Sequence, residues 1–328
     1  MVIRTMNKTE NPARTTGLVS RLSRVPTPLG GLALGIASLG AAWSLVMPDH
    51  SQGLKLTAAL IAAILVINVM LKFILHPHLI REDLSHPVVS SVMPTCAMAA
   101  MVIASALMPI SEFAARALWV AAVLTHLVLL AGFVTKRVRD FDIEHMVPSW
   151  FVPPVGIIVA AVTSQGMGFE PLVKMLFIFG LLCYFIKLPI MFYRLIFKST
   201  IPDAALPTFA IMGAPASLSL AGYLTITDNP SLIMISILAP LAIFMTVMVY
   251  MAFIKLLRLP FSPGYAAFTF PMVIGATALL KLESKVNGVF ADLFYQLGLI
   301  ELVVATVIVT YVAIRYILFY LKPRPQLA

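Results

Sequence analysis

Apolar residues run along this chain in long blocks, separated by short polar segments. A membrane-spanning helix needs about 20 consecutive apolar residues. Ten blocks approach or reach that length, at roughly 26–46, 54–75, 87–108, 114–134, 148–167, 173–197, 205–226, 231–256, 262–281 and 301–321. The intervening segments are too short to hold a second folded domain. The pattern predicts an all-α integral membrane protein with one ten-helix domain over residues 26–321. Residues 1–25 read as a disordered basic cytoplasmic tail, and 322–328 as a short cytoplasmic tail.

The odd-numbered blocks differ from the even ones. They carry no Asp, Glu, Lys or Arg until Lys281 closes the ninth, and they hold ten of the 17 glycines. Gly132 and Gly180 are the two glycines of the even blocks. Four odd blocks carry an internal proline, Pro94, Pro154, Pro215 and Pro271, each preceded six to eight residues earlier by Pro87, Pro148, Pro207 or Pro263. The inner prolines stand 60, 61 and 56 residues apart. This is a repeat of about 60 residues, present five times, each unit a small-residue broken helix followed by a plainer one. The first unit has Ala33, beside Gly30, Gly31 and Gly35, where the inner proline is expected. Proline removes a helical N–H and pushes on the preceding turn. The freed backbone groups must then find partners inside protein or beside a water-filled cavity, not against lipid. The repeat therefore predicts five helical hairpins: an inner ring of five kinked helices around a central pore, and an outer ring of five.

Composition supports this class. Of 328 residues, 60% are apolar and 11% charged, and the mean hydropathy is +0.98; soluble domains carry roughly 25% charged residues. The net charge of +9 does not indicate nucleic acid, because the charges flank apolar blocks instead of clustering on a polar domain. Cys96 and Cys183 lie inside apolar blocks and imply neither a disulfide framework nor a metal site. If the N-terminus is cytoplasmic, one face collects 18 Lys and Arg with seven acidic residues. The other collects five, Lys55, Arg116, Lys174, Lys281 and Lys285, with seven acidic residues, Glu301 counted among them. The positive-inside rule then places both termini in the cytoplasm. The basic inner rim is expected to concentrate anions.

Five stretches now carry a resemblance: "VPTPLGGLALGIASLGAAW", "HPVVSSVMPT", "VPSWFVPPVGIIVAA", "LPTFAIMGAPASLSLAGYL" and "GYAAFTFPMVIGATALL". The chain resembles the tellurite-resistance/dicarboxylate transporter family, which includes bacterial tellurite-resistance proteins and the plant slow anion channels of guard cells. The resemblance covers residues 25 to 320 and all five units. It implies a quasi-five-fold pore in each subunit of a homotrimer in the bacterial inner membrane. It also implies a phenylalanine gate in the ninth span, at the position of Phe270. Family activities include anion conduction, malate uptake, sulfite efflux and resistance to tellurite or cationic dyes.

The expected function is passive anion conduction or facilitated transport, with small inorganic or carboxylate anions as ligands. The alternative is coupled transport of C4-dicarboxylate, sulfite or tellurite-type oxyanions. Pore-lining candidates are Gly31, Gly35, Thr95, Gly156, Gly213, Ser217, Gly275 and Thr277. Further wall hydroxyls are Ser90, Ser91, Thr163, Ser219 and Thr269; for every one of these hydroxyls, Thr95, Ser217 and Thr277 included, the competing use is a bond back to the carbonyl four residues earlier. Phe268, two positions from Phe270, points to a different side of a helix and reads as packing. In the even spans, His126 and Lys187 read as structural polar contacts, and Arg194 and Arg315 as side chains that snorkel to the interface. The histidines are scattered, and no H-E-x-x-H, Walker or other phosphate-loop motif occurs. Enzyme chemistry, ATP-driven transport and a resident cofactor or metal are accordingly not expected.

The charge count makes a direct prediction. A reporter fused after Ala328 should report a cytoplasmic location, and one inserted near Asp228 an external one. An external C-terminus would overturn the ten-span count.

Overall fold

The structure, a computed structural model, describes residues 18–321. Ten apolar helices follow the ten blocks. They are α1 (Leu29–Val46), α2 (Ser51–Leu75), α3 (Pro87–Leu107), α4 (Glu112–Arg139), α5 (Pro148–Val162), α6 (Glu170–Phe197), α7 (Leu206–Ile226), α8 (Leu232–Leu256), α9 (Pro263–Glu283) and α10 (Val289–Leu321). Among the described residues, nine are long and apolar enough to cross a membrane, and α5 is shorter. Of the segment expected to be disordered, residues up to 17 lie outside the described residues. Leu18–Leu22 instead forms a short helix, and the Val19 carbonyl meets the His76 ring 3.0 Å away.

Each odd helix packs against the even helix that follows it. The odd helices also touch in a closed cycle: α1 on α3, α3 on α5, α5 on α7, α7 on α9, and α9 back on α1. Burial separates the two rings. The hydropathic cores of α1, α3, α7 and α9 are 61–89% buried, against 28–39% for the even helices. The small residues of α1 let it close the ring. A methyl group added at Gly35 would collide with Thr269 of α9, whose hydroxyl donates to the Gly31 carbonyl at 3.1 Å.

The inner helices change character at their prolines. α3 breaks at Met93–Pro94, between helical segments Pro87–Val92 and Thr95–Leu107. α5 alternates tight 3₁₀ turns with four-residue α segments around Pro153 and Pro154. α7 is 3₁₀ over Leu206–Gly213 and α-helical from Ala214, with Pro215 at the change. α9 is 3₁₀ over Pro263–Phe268 and α-helical from Thr269, just before Pro271. The exception to the expected kinks is α1, continuous from Leu29 to Val46. Ala33 keeps the N–H that proline would remove, and the neighbouring glycines do not break the ladder on their own.

A proline releases the carbonyl four residues before it. Pro154 releases that of Trp150, and Lys187 of α6 donates its Nζ to this oxygen at 2.7 Å. Pro153 releases that of Ser149, which accepts the Val152 N–H within a 3₁₀ turn. His126 of α4 is fully buried and places Nε2 2.8 Å from the Pro153 carbonyl. In α7 the Ile211 carbonyl, released by Pro215, accepts from the Ala214 N–H. His126 and Lys187 thus satisfy the broken backbone of α5. Arg194 does not snorkel as expected. It is buried and donates to the carbonyls of Ser199, just after α6, at 2.6 Å and of Glu144, between α4 and α5, at 3.0 Å. Arg315 donates to the Tyr311 hydroxyl at 2.9 Å and stands 5.3 Å over the Phe261 ring.

Replacing Lys187 by Met would leave the Trp150 carbonyl without its donor in an apolar setting. The expected loss is about 1–3 kcal/mol, read as a lower thermal midpoint of the purified protein in detergent. Lys187→Arg should recover most of it, and an unchanged midpoint in Lys187→Met would remove Lys187 from this role.

Candidate pore and constriction

Two cavities lie on the axis of the inner ring. One occupies the end where the inner helices begin. Its volume is about 90 Å³, and its walls include Gly31, Val92, Thr95, Met98, Phe151, Gly156, Thr208, Ala214 and Pro215. The other occupies the end where they finish. It measures about 260 Å³ and is bounded by Ser38, Ser44, Ser105, Thr163, Gln165 and Thr277, with Lys55 and Lys281. A cavity needs about 10–15 Å³ to hold a water molecule, so both have room for several. Two side chains, Phe270 and Leu218, belong to the walls of both cavities. They form the partition between them. We refer to the proline-end and lysine-end chambers.

The partition follows from the local chain. Helix α9 passes from 3₁₀ to α at Thr269, and the two phenylalanines flanking that residue diverge. Phe268 is fully buried, with ring centres 4.7 Å from Tyr265 and 5.3 Å from Phe253 of α8. It is a core residue between α9 and α8. Phe270 has no ring partner of this kind among the described residues and faces the axis between the chambers. Leu218 reaches the same level from α7, one turn beyond Pro215. It was not among the sequence candidates, since nothing distinguishes one leucine of "ASLSLAGYL" from the next until the ring is closed.

The other candidates divide by location. Gly31, Thr95 and Gly156 line the proline-end chamber, and Thr277 the lysine-end chamber. Gly35, Gly213, Ser217 and Gly275 are on neither wall. Gly35 faces Thr269 at the α1–α9 contact, Gly213 faces Val249 of α8, and Gly275 faces Glu301 of α10. The Ser217 hydroxyl is fully buried and donates to the Gly213 carbonyl at 3.1 Å. Glycine in a ring of packed helices marks close approach as readily as open space. Four prolines mark the breaks, but only Pro215 and Pro271 reach a chamber wall.

The hydroxyls are mostly committed. Ser90, Thr95, Thr163, Ser219, Thr269 and Thr277 each donate to a carbonyl three or four residues earlier. Ser91 bonds the Val88 carbonyl and Ser149. Their protons serve the helices, as hydroxyls in membrane helices often do.

Charge is distributed differently from the expectation. No charged side chain lines the proline-end chamber, the one that the Lys and Arg count assigns to the cytoplasm. The cations on a chamber wall, Lys55 and Lys281, are at the opposite end. Two basic residues of the expected inner rim are engaged within the protein. Lys72 is buried against Asp83 and Thr27 at 2.9 Å, and Arg137 donates to the Ser85 carbonyl at 2.9 Å. Glu301, expected outside the membrane, lies well within α10, because that helix begins at Val289 and not near residue 301. It is buried, and its Oε2 has no hydrogen-bond partner while facing Gly275 of α9.

Residues 25–317 match the model of the voltage-dependent anion channel family. The chain belongs to this family. Two proteins of Methanocaldococcus jannaschii, each named an uncharacterized transporter, are also similar. One is 25% identical over 230 residues, covering 62% of this chain and 67% of the relative. The other is 24% identical over 254 residues, covering 69% and 73%. Channel-family membership fits an axial pair of chambers within a closed ring of helices, and it carries no expectation of enzyme chemistry.

The partition can be probed by chemical access. In a background with Cys96 and Cys183 replaced by Ala, Ala214→Cys should react with a membrane-impermeant thiol reagent from the proline-end face. Ser105→Cys should react from the lysine-end face. Reaction of both from one face would place the barrier elsewhere.

Proposed function

We propose that this protein conducts small anions passively through the axis of the inner ring, and that Phe270, with Leu218 beside it, closes the path. The single observation that carries this reading is the shared wall: these two side chains separate two chambers that otherwise lie end to end. An apolar constriction blocks ions by excluding the water they need. Phe270 suits that part, since it spans the axis without belonging to an aromatic cluster. Conduction also fits a proline-end wall free of carboxylates, which would repel anions.

The physiological setting follows the same reading: an inner-membrane protein with both termini in the cytoplasm, assembled as a homotrimer with one pore per subunit. The ligands are small inorganic or carboxylate anions. The second reading is coupled transport of a dicarboxylate, sulfite or a tellurite-type oxyanion. One observation favours it: Glu301 is an ionisable group inside the membrane, packed on the helix that carries Phe270. Such groups are often proton relays. A proton current in fixed ratio to anion flux, lost in Glu301→Gln, would select coupling. Current that reverses at the anion equilibrium potential in both proteins would select the channel.

Phe270→Ala is expected to raise anion flux from proteoliposomes by at least about tenfold, the effect of lowering a barrier by about 1.4 kcal/mol. Recovery of folded protein should stay near wild type, because the ring borders cavities on two sides. Phe268→Ala removes a ring from a packed core, a change that costs about 3–5 kcal/mol in soluble proteins. It should lower stability without opening the path. Wild-type flux from well-folded Phe270→Ala would end the gate proposal.

A further inference from the structure

The lysine-end chamber has a feature that a plain conduit does not need. Lys55, from the first turns of α2, and Lys281, from the last turns of α9, both line it and are half-buried there. Neither takes part in an ion pair or hydrogen bond among the described residues. Each of the three ion pairs found there uses another cation, Lys72, Arg116 or Arg194. No Asp or Glu lines this chamber. Lys281 and Lys55 share one wall of the chamber. Lys285 is turned to the Asp228 carbonyl at 3.2 Å. Like charges gathered in a partly desolvated recess repel, and no acidic side chain on the chamber wall offsets the repulsion.

The remaining wall groups sharpen the picture. Four chamber hydroxyls donate to carbonyls of their own helices: Thr163 and Thr277 at 2.8 Å, Ser44 at 2.7 Å and Ser105 at 2.8 Å. Thr163 also accepts from the Trp119 indole at 2.9 Å. Two polar groups keep uncommitted donors, the Gln165 amide and the Ser38 hydroxyl, neither of which has a hydrogen-bond partner among the described residues. The donors left facing the chamber are therefore two ammonium groups, one amide and one hydroxyl, with no carboxylate to compete. The space, about 260 Å³, accommodates a compact anion with part of its water shell.

We propose that the lysine-end chamber is an anion-binding site, in which Lys55 and Lys281 hold a halide or small inorganic oxyanion above Phe270 and Leu218, with Gln165 and Ser38 as neutral donors. Its place on a transport path rests on the conduction reading above; the binding itself does not. A loaded anion relieves the repulsion between the lysines and waits at the partition. The proline-end chamber has no equivalent, so loading is one-sided. With the charge count as guide, the loaded side is the exterior.

The test uses purified full-length protein in detergent and bromide as the probe. Bromide NMR lines broaden on exchange with a protein site, and chloride should displace the effect. Wild type is expected to show chloride-displaceable broadening. Lys55→Gln/Lys281→Gln should reduce it by about tenfold, the lower range of effects expected when a charged cleft loses its focusing. Lys174→Gln, which alters a cation outside the chamber, should leave it intact. Lys281→Arg should retain it, since the charge is kept. If the double variant is not monodisperse, the single variants Lys55→Gln and Lys281→Gln carry the test, each expected to weaken the broadening. Wild type without displaceable broadening, or folded lysine variants that keep it, would overturn the site. The outcome separates from the gate proposal through Phe270→Ala. Increased flux without bromide broadening would discard the site and keep the pore. Broadening without increased flux would keep the site and discard the gate.

Discussion

No backbone carbonyl or amide can remain unpaired against hydrocarbon, and the architecture of this protein depends on how that constraint is met at four broken helices. A helix interrupted by proline is unsuited to the lipid face, so the broken helices are drawn inward, where neighbours supply what the ladder has lost. α5 shows the mechanism most fully. Its successive prolines free two carbonyls, one taken up by a 3₁₀ turn and the other by Lys187. His126 meets a third carbonyl in the same segment. Lys187 and His126 of the outer helices are thus spent on an inner one.

The same constraint shapes the axis. Hydroxyls that might have made a polar conduit bond back to their own helices, so the inner surface is much less hydrophilic than its serine and threonine content suggests. The proline-end chamber is walled chiefly by apolar side chains and glycine. Such a wall offers an entering ion little in exchange for its water, which suits the proposed exclusion at Phe270 and Leu218. The lysine-end chamber is the polar one, and its polarity comes from helix ends, where lysines can be half-buried at modest cost.

Glu301 stands apart from this economy of polar groups. It is buried with an unpartnered oxygen and rests where Gly275 leaves space on the helix that carries the constriction. Because a methyl group at that glycine would collide with the carboxylate, the two positions are sterically linked. Glu301 therefore touches α9, the helix that carries Phe270, at Gly275, which lies on neither chamber wall.

Much of this was legible in the chain. Ten apolar blocks, their alternation between small-residue and plain helices, and prolines recurring about every 60 residues suffice for five hairpins and for which helices lie inside, because period and helix breaking are local properties. Phe270 was singled out by the family resemblance alone, since no local pattern distinguishes it from Phe268 two positions earlier. Other features were settled by packing alone. Leu218 meets Phe270 only once α7 and α9 are neighbours. Gly35, Gly213 and Gly275 are glycines for contact with other helices, and no linear pattern distinguishes that use from a pore wall. Lys55 and Lys281 are far apart in sequence, each at the end of an apolar block, and nothing in the chain pairs them. Glu301 was counted as external because an apolar block was taken to begin where the polar residues end, while the helix itself extends back to Val289. Local sequence determines where a helix can form and break, but which side chains face one another across the axis is decided by closure of the ring.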